Sequence, residues 1–318
     1  MSDFAPWQQR AFDQAVAALE AGRLGHGLLI CGPTGLGKRA VALQLAEHVL
    51  AQGGDPAARQ RARQLIAAGT HPDLQLLSFI PNRTGDKLRT EIVIEQVREV
   101  SQKLALTPQY GVAQVVIVDP ADAINRAACN ALLKTLEEPA PGRYLWLISA
   151  HPARLPATIR SRCQRLEFKL PPAHEALAWL LAQGVDAVAA EQALEAARGH
   201  PGLAAEWLRG DGLELRQQVA VDLEQLSAGR ISPMEVALRW TGDEHAGQRL
   251  GHAADLVLRQ ASVAAIEPAR LHALATWFDA ANRTRDLLRT TVRADLAVTE
   301  LLIAWRDGDH AVRKGRKA

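Results

Sequence analysis

The sequence predicts an α/β fold: a parallel sheet covered by helices through about residue 168, followed by helices alone to the end of the chain. Three observations carry that prediction. In the first half, apolar strand-like runs alternate with helical stretches. A glycine-rich turn, "CGPTGLGKRA" from Cys31 to Ala40, joins one such run to a helical stretch. Beyond Phe168 the strand signal fades, and Ala, Leu, Glu and Arg dominate.

Taken in order, the expected strands are "GLLIC" (27–31), "LQLLSF" (74–79), "QVVIVD" (114–119), "YLWLISA" (144–150) and "QRLEF" (164–168). Between them, "KRAVALQLAEHVLAQ" and "IVIEQVREVSQKLAL" repeat apolar residues three and four apart, the period of a helix with one buried face. The polar, Ala/Arg-rich "GGDPAARQRARQLIAAG" before the second strand reads as a surface loop and helix. The connection "NRAACNALLKTLEEP" is well punctuated. Asn125 can cap its start, Ala128, Ala131, Leu132, Thr135 and Leu136 share a face, and Pro139 forbids continuation. The pair Pro171–Pro172 marks a boundary, and "GHPG" (199–202) and "RGDG" (209–212) punctuate a small helical unit before the last hundred or so residues.

Bulk properties narrow the class. A chain of 318 residues can hold two or three domains with sizeable cores, and 48% hydrophobic with 23% charged residues is ordinary globular composition. A net charge of only +2 argues against a polyanion binder, and the basic tail "VRKGRKA" (312–318) reads as a solvated end. "MSDFAPWQQR" lacks a basic segment followed by an apolar core, and no run of 18 apolar residues occurs, so a cytoplasmic protein is expected. Cys31, Cys129 and Cys163 are far apart with no CxxC pair, which supports neither a disulfide framework nor a cysteine zinc site.

"GPTGLGK" has the strand-to-helix context that a phosphate-binding loop requires. Gly32, Gly35 and Gly37 let backbone N–H groups turn toward an anion, and Lys38 could reach terminal phosphates. The next residue is wrong for hydrolysis: a Ser or Thr hydroxyl there ligates Mg²⁺, and this chain has Arg39. A cation held about 4 Å from a divalent ion is repelled by about 8 kcal/mol at an effective dielectric near 20. "VVIVDPAD" places Asp119 where a metal-holding acid would stand, but Pro120 follows, with neither acid nor base to activate water. Asp119 therefore has two readings, a metal acid or a strand-end turn residue.

At these residues the chain resembles a known family. "VVIVDPADAINRAACNALLKTLEEP" followed by "LWLISAHPARLPATIRSRCQRLEF" is similar to the core of the AAA+ clamp-loader ATPases of bacterial DNA polymerase III. The stretches "HGLLI", "AGTHPD" (68–73) and "IVIEQVREV" (92–100) carry the likeness toward the N-terminus. It covers most of residues 1–210. It implies an AAA+ core with a degenerate phosphate loop (1–168), a helical lid (169–208) and a helical collar used for oligomerisation (209–318).

The resemblance also assigns roles. In that family the arginine of "SRC" reaches across an interface to the ATP held by the next subunit. Here it is Arg162, flanked by Ser161 and Cys163. Read from residue type alone, Arg162 is a surface arginine at a strand start. Hydrolysing relatives carry a second sensor arginine where this chain has Gly202, and the first sensor position falls near Ser149 and Ala150. The zinc-binding cysteines of many relatives are missing from residues 51–70. The implied function is a non-hydrolysing subunit with no cofactor of its own, which completes a neighbour's ATP site during sliding-clamp loading. Its implied partners are the motor subunits, the clamp-opening subunit and, through the complex, the sliding clamp and primer–template DNA. The rival readings are an ATP-hydrolysing motor subunit using Lys38 and Asp119, and a kinase-like P-loop enzyme outside the family.

Overall fold

The computed structural model describes residues 4–51, 56–81, 85, 88–111, 113–262, 267–288 and 290–315. The side chains of the basic tail 312–318 lie outside the described residues. The chain divides into two compact units, Met1–Ala205 and Glu206–Ala318.

The first unit begins with α1 (Pro6–Glu20), an addition to the expected elements. It has proline at its first position and buries Trp7, Ala11 and Ala15, spaced four apart on one face. There follow β1 (Gly27–Cys31), α2 (Lys38–Leu50), α3 (Pro56–Ala67), β2 (Leu74–Leu77), α4 (Ile94–Leu104) and β3 (Gln114–Val118). Then come α5 (Arg126–Glu137), β4 (Arg143–Ser149), α6 (Ala157–Arg160) and β5 (Gln164–Glu167). The helices α7 (Ala173–Ala182), α8 (Ala187–Ala196) and the start of α9 (Pro201–Arg209) end the unit.

All five strands are parallel, in the order β2-β3-β4-β1-β5. Both faces of the sheet are covered, so alternate side chains feed two different cores. Leu28, Ile30, Val115, Ile117, Trp146 and Ile148 pack on the side of α1 and α2. Leu29, Cys31, Val116, Val118, Leu145 and Leu147 pack on the side of α4 and α5. This two-sided burial is why β1 and β3 read as unbroken apolar runs. The punctuation of α5 is observed as expected: Asn125 Oδ1 accepts from the Ala128 amide at 2.9 Å, and Ala128, Leu132 and Leu136 are buried.

The second unit holds α10 (Gly212–Ser227), α11 (Pro233–Trp240), α12 (Ala246–Ala261), α13 (Pro268–Leu287) and α14 (Ala294–Gly315). Its core is built around Val219, Leu223, Trp240, Trp277, Leu302 and Trp305. Each tryptophan N–H has a partner inside it. Trp240 donates to Asp222, Trp277 to the Leu301 carbonyl and Trp305 to the Leu223 carbonyl.

Candidate functional site

The phosphate-loop residues lie together at the C-terminal end of the sheet, where β1 turns into α2. Gly32, Gly35 and Gly37 all have positive φ, at 137°, 76° and 81°. A Cβ on Gly32 would stand 2.1 Å from the Phe168 carbonyl oxygen, and one on Gly37 2.0 Å from Gln8 Nε2. Glycine is thus needed at Gly32 for space as well as for conformation, and at Gly37 for conformation, because the Gln8 amide is the movable end of a side chain.

The loop's own lysine fills the cradle. Lys38 is 6% exposed, and its Nζ donates to the carbonyls of Gly32 at 2.7 Å and Pro33 at 2.6 Å. Burial lowers its pKa, opposed by the charges of Asp119 and Asp122. Two of the three ammonium donors therefore point at the loop backbone.

Asp119 ends up paired with a cation from the chain itself. Arg39 NH1 stands 3.6 Å from Asp119 Oδ2, so the arginine holds the charge position that a metal ion would take. Burial raises the Asp119 pKa, opposed by Arg39 and Lys38. The residues do not fit a magnesium ion: the hydroxyl ligand is replaced by a guanidinium, and that guanidinium sits on the remaining carboxylate. Among the described residues, no group of three His, Cys, Asp or Glu side chains is arranged to hold a metal.

Sequence reasoning did not single out Asp122. Its carboxylate accepts from Ser149 Oγ at 2.5 Å, the Ala150 amide at 2.7 Å and the His151 amide at 3.2 Å. Fully buried Ser149, which with Ala150 lies where the first sensor is expected, thus spends its hydroxyl on tying the end of β4 to the turn after β3. The only available signal was an acid three residues beyond Asp119.

The start of α9 packs directly on the loop. A Cβ on Gly202, the second residue of α9, would lie 2.0 Å from the Gly35 carbonyl oxygen and 2.6 Å from its carbon. Glycine at the second-sensor position therefore lets helix backbone touch loop backbone. Two residues of α1 reinforce the closure. Trp7 Nε1 and Gln8 Nε2 both donate to the Leu36 carbonyl, at 3.0 and 3.1 Å. The Trp7 ring meets Trp179 of α7 edge-on at 5.3 Å. Arg10 grips Glu175 of α7 with two hydrogen bonds of 2.7 and 2.9 Å.

Arg162 is not part of this assembly. It lies between α6 and β5, at the N-terminal end of the strands, where a Cβ on Gly27 would come within 3.0 Å of its carbonyl oxygen. From Gly27 to Cys31 the strand climbs four steps of about 3.3 Å, so ~13 Å of sheet separates the Arg162 backbone from the start of the loop. The guanidinium is anchored locally: NH2 meets Glu137 Oε1 at 2.6 Å, and NH1 donates to the Thr158 carbonyl at 2.9 Å. Its side chain remains 35% exposed. Ser161 Oγ also donates to Thr158, at 3.2 Å. Cys163 is buried, and burial pushes its thiol up to about 11, so it is not a nucleophile at neutral pH.

Comparison with known proteins identifies the family. The profile of the family described as "DNA polymerase III, delta subunit" matches residues 7–172. The DNA polymerase III subunit delta' of Pseudomonas aeruginosa is 39% identical over 248 residues, 76% of this chain and 72% of that protein. Its counterpart in Escherichia coli is 37% identical over 218 residues, 67% of this chain and 63% of that protein. Among solved structures, a gamma-subunit-related protein of DNA polymerase III from Thermotoga maritima is similar with a TM-score of 0.51 at 18% identity. That likeness covers 94% of this chain and 99% of the other, and it shows a shared fold. With a matching profile over half its length and relatives at this level of identity, the chain belongs to the delta' family of DNA polymerase III subunits.

Proposed function

We propose that this protein is a non-hydrolysing clamp-loader subunit of the bacterial DNA polymerase III holoenzyme, and that Arg162 serves the ATP site of a neighbouring motor subunit. One observation carries the reading. The exposed arginine and the chain's own phosphate loop stand at opposite ends of the sheet, on the neighbouring strands β5 and β1, so Arg162 is available to another subunit and out of reach of its own loop. The state of the loop supports the same conclusion. Lys38 is bound to loop carbonyls, Arg39 is paired with Asp119, and no acid follows Asp119 to activate water.

In this reading the chain has three parts: the AAA+ core, the lid to about residue 208 and the collar from about 209, which carries oligomerisation. Gly32, Gly35, Gly37, Lys38 and Asp119 are a vestigial site that now builds the first strand-to-helix turn. The partners are the gamma/tau motor subunits and the clamp-opening delta subunit in the cytoplasm. Through them the chain acts on the sliding clamp and primer–template DNA. A planar, permanently charged guanidinium suits the assigned role because it stabilises charge on the phosphoryl group in transfer.

The test is reconstitution of the ring with Arg162→Ala. DNA-dependent ATP hydrolysis at the site that this subunit completes falls by about 10³ or more, the scale at which arginine fingers act, and clamp loading falls with it. Unchanged hydrolysis and loading would overturn the assignment.

A further inference from the structure

The role given to Arg162 leaves one feature of its surroundings unexplained. The helix α5 ends on two consecutive acids, Glu137 and Glu138. A carboxylate in the last turn of a helix faces the negative end of the helix dipole, an unfavourable place for it. The backbone next to Glu137 is nevertheless anchored. The preceding carbonyl, of Leu136, is hydrogen-bonded to His26 Nε2 at 2.8 Å just before β1. The Leu136 side chain fills the space beside Gly27, where a Cβ would approach it to 2.9 Å. The anchored Leu136 thus brings the half-exposed Glu137 carboxylate to the sheet end at which Arg162 emerges, where its Oε1 meets Arg162 NH2 at 2.6 Å.

We infer that Glu137 is the positioning residue of the arginine finger. The inference rests on the finger reading above and goes beyond it to a second residue. A free arginine side chain samples many rotamers, and fixing it at the moment of reaction costs entropy. Here one N–H of NH2 goes to the Glu137 carboxylate and one N–H of NH1 to the Thr158 carbonyl. A guanidinium has five N–H donors, so three remain for a phosphate on the neighbouring subunit. Two anchors on different elements, α5 and α6, fix the plane of the group without consuming it. Preorganisation of this kind lowers the barrier of the step it serves and leaves substrate affinity alone.

The test uses the reconstituted ring carrying Glu137→Ala, Glu137→Gln, Arg162→Ala or the Glu137→Ala/Arg162→Ala pair, with steady-state hydrolysis resolved into kcat and KM. Glu137→Ala lowers kcat roughly tenfold, a fraction of what a finger supplies, with KM for ATP unchanged. Glu137→Gln, which keeps an oxygen acceptor, recovers part of the loss. In the Arg162→Ala background Glu137→Ala has no further effect, because there is no finger left to position. If Arg162→Ala is inactive while Glu137→Ala turns over normally, the inference falls and the finger reading stands. An equal loss from Glu137→Ala with and without Arg162, or a rise in KM alone, also overturns it by pointing to a structural role. If Arg162→Ala itself has no effect, the finger reading fails and takes this inference with it.

Discussion

Lys38 and His252 are both basic side chains buried by the fold, and they meet the cost of burial in opposite ways. Lys38 satisfies its ammonium with two loop carbonyls and two nearby carboxylates. His252, 2% exposed in the second unit, lies edge-on to Trp207 at 4.7 Å. Its Nε2 has no hydrogen-bond partner among the described residues. Burial, helped by the Arg216 cation and opposed by Asp255 and a hydrogen bond with the Gly212 backbone, lowers its pKa from 6.5 to about 4. The native state therefore takes up a proton later than the unfolded chain on acidification. The stabilisation is complete above pH 6.5 and is lost as the pH falls through about 4. The whole loss is about 3 kcal/mol, at 1.36 kcal/mol for each pKa unit. His252→Phe, which keeps a ring against Trp207, should flatten this dependence. Urea unfolding between pH 7 and pH 4.5, followed by the fluorescence of the tryptophan core, measures it. An unchanged slope would mean that the carboxylates account for all of it.

At the scale of elements, the parts legible in the sequence are those governed by neighbours a few residues apart. The strand β1 occupies the expected residues 27–31, and the other four strands fall within two residues of their expected ends. Asn125 caps α5, and the three loop glycines take the positive φ that such a turn needs. What periodicity could not reveal are contacts between distant stretches. Trp7 and Gln8 reach the Leu36 carbonyl, Ser149 is claimed by Asp122, Glu137 anchors Arg162, and α9 meets the loop at Gly202. Gly202 could be read beforehand only as a missing arginine, yet in the fold it is a backbone contact with a steric requirement. Gly202→Ala puts a methyl group 2.0 Å from the Gly35 carbonyl oxygen, and a backbone oxygen cannot rotate aside. The start of α9 must move off the loop, at a cost of about 1–3 kcal/mol, as for overpacked cores. Hydrogen exchange of the amides of residues 35–38 should accelerate accordingly. Exchange and stability equal to those of the parent chain would show that the closure is loose.

On the scale of the whole molecule, the polarity of the parallel sheet sets the glycine loop and Arg162 at opposite ends. The C-terminal strand ends carry a loop occupied by its own lysine, met by α9 and held by α1. The N-terminal ends present Arg162. If the loop is closed for good, the isolated chain should ignore nucleotide, and ligand linkage makes that a sensitive test. A site with a Kd of about 10 μM would stabilise the protein by about 2.7 kcal/mol at roughly 1 mM MgATP. For a unit the size of Met1–Ala205 that is a rise of roughly 5–10 °C in Tm. Thermal unfolding with and without 1 mM MgATP should instead give coincident transitions, and calorimetric titration should show neither binding heat nor turnover. Coincident transitions are expected at every MgATP concentration up to roughly 1 mM, because an entering phosphate would have to displace Lys38 from two carbonyls and separate Arg39 from Asp119. A saturable rise in Tm accompanied by phosphate release would identify a working active site at the loop and return the chain to the motor class.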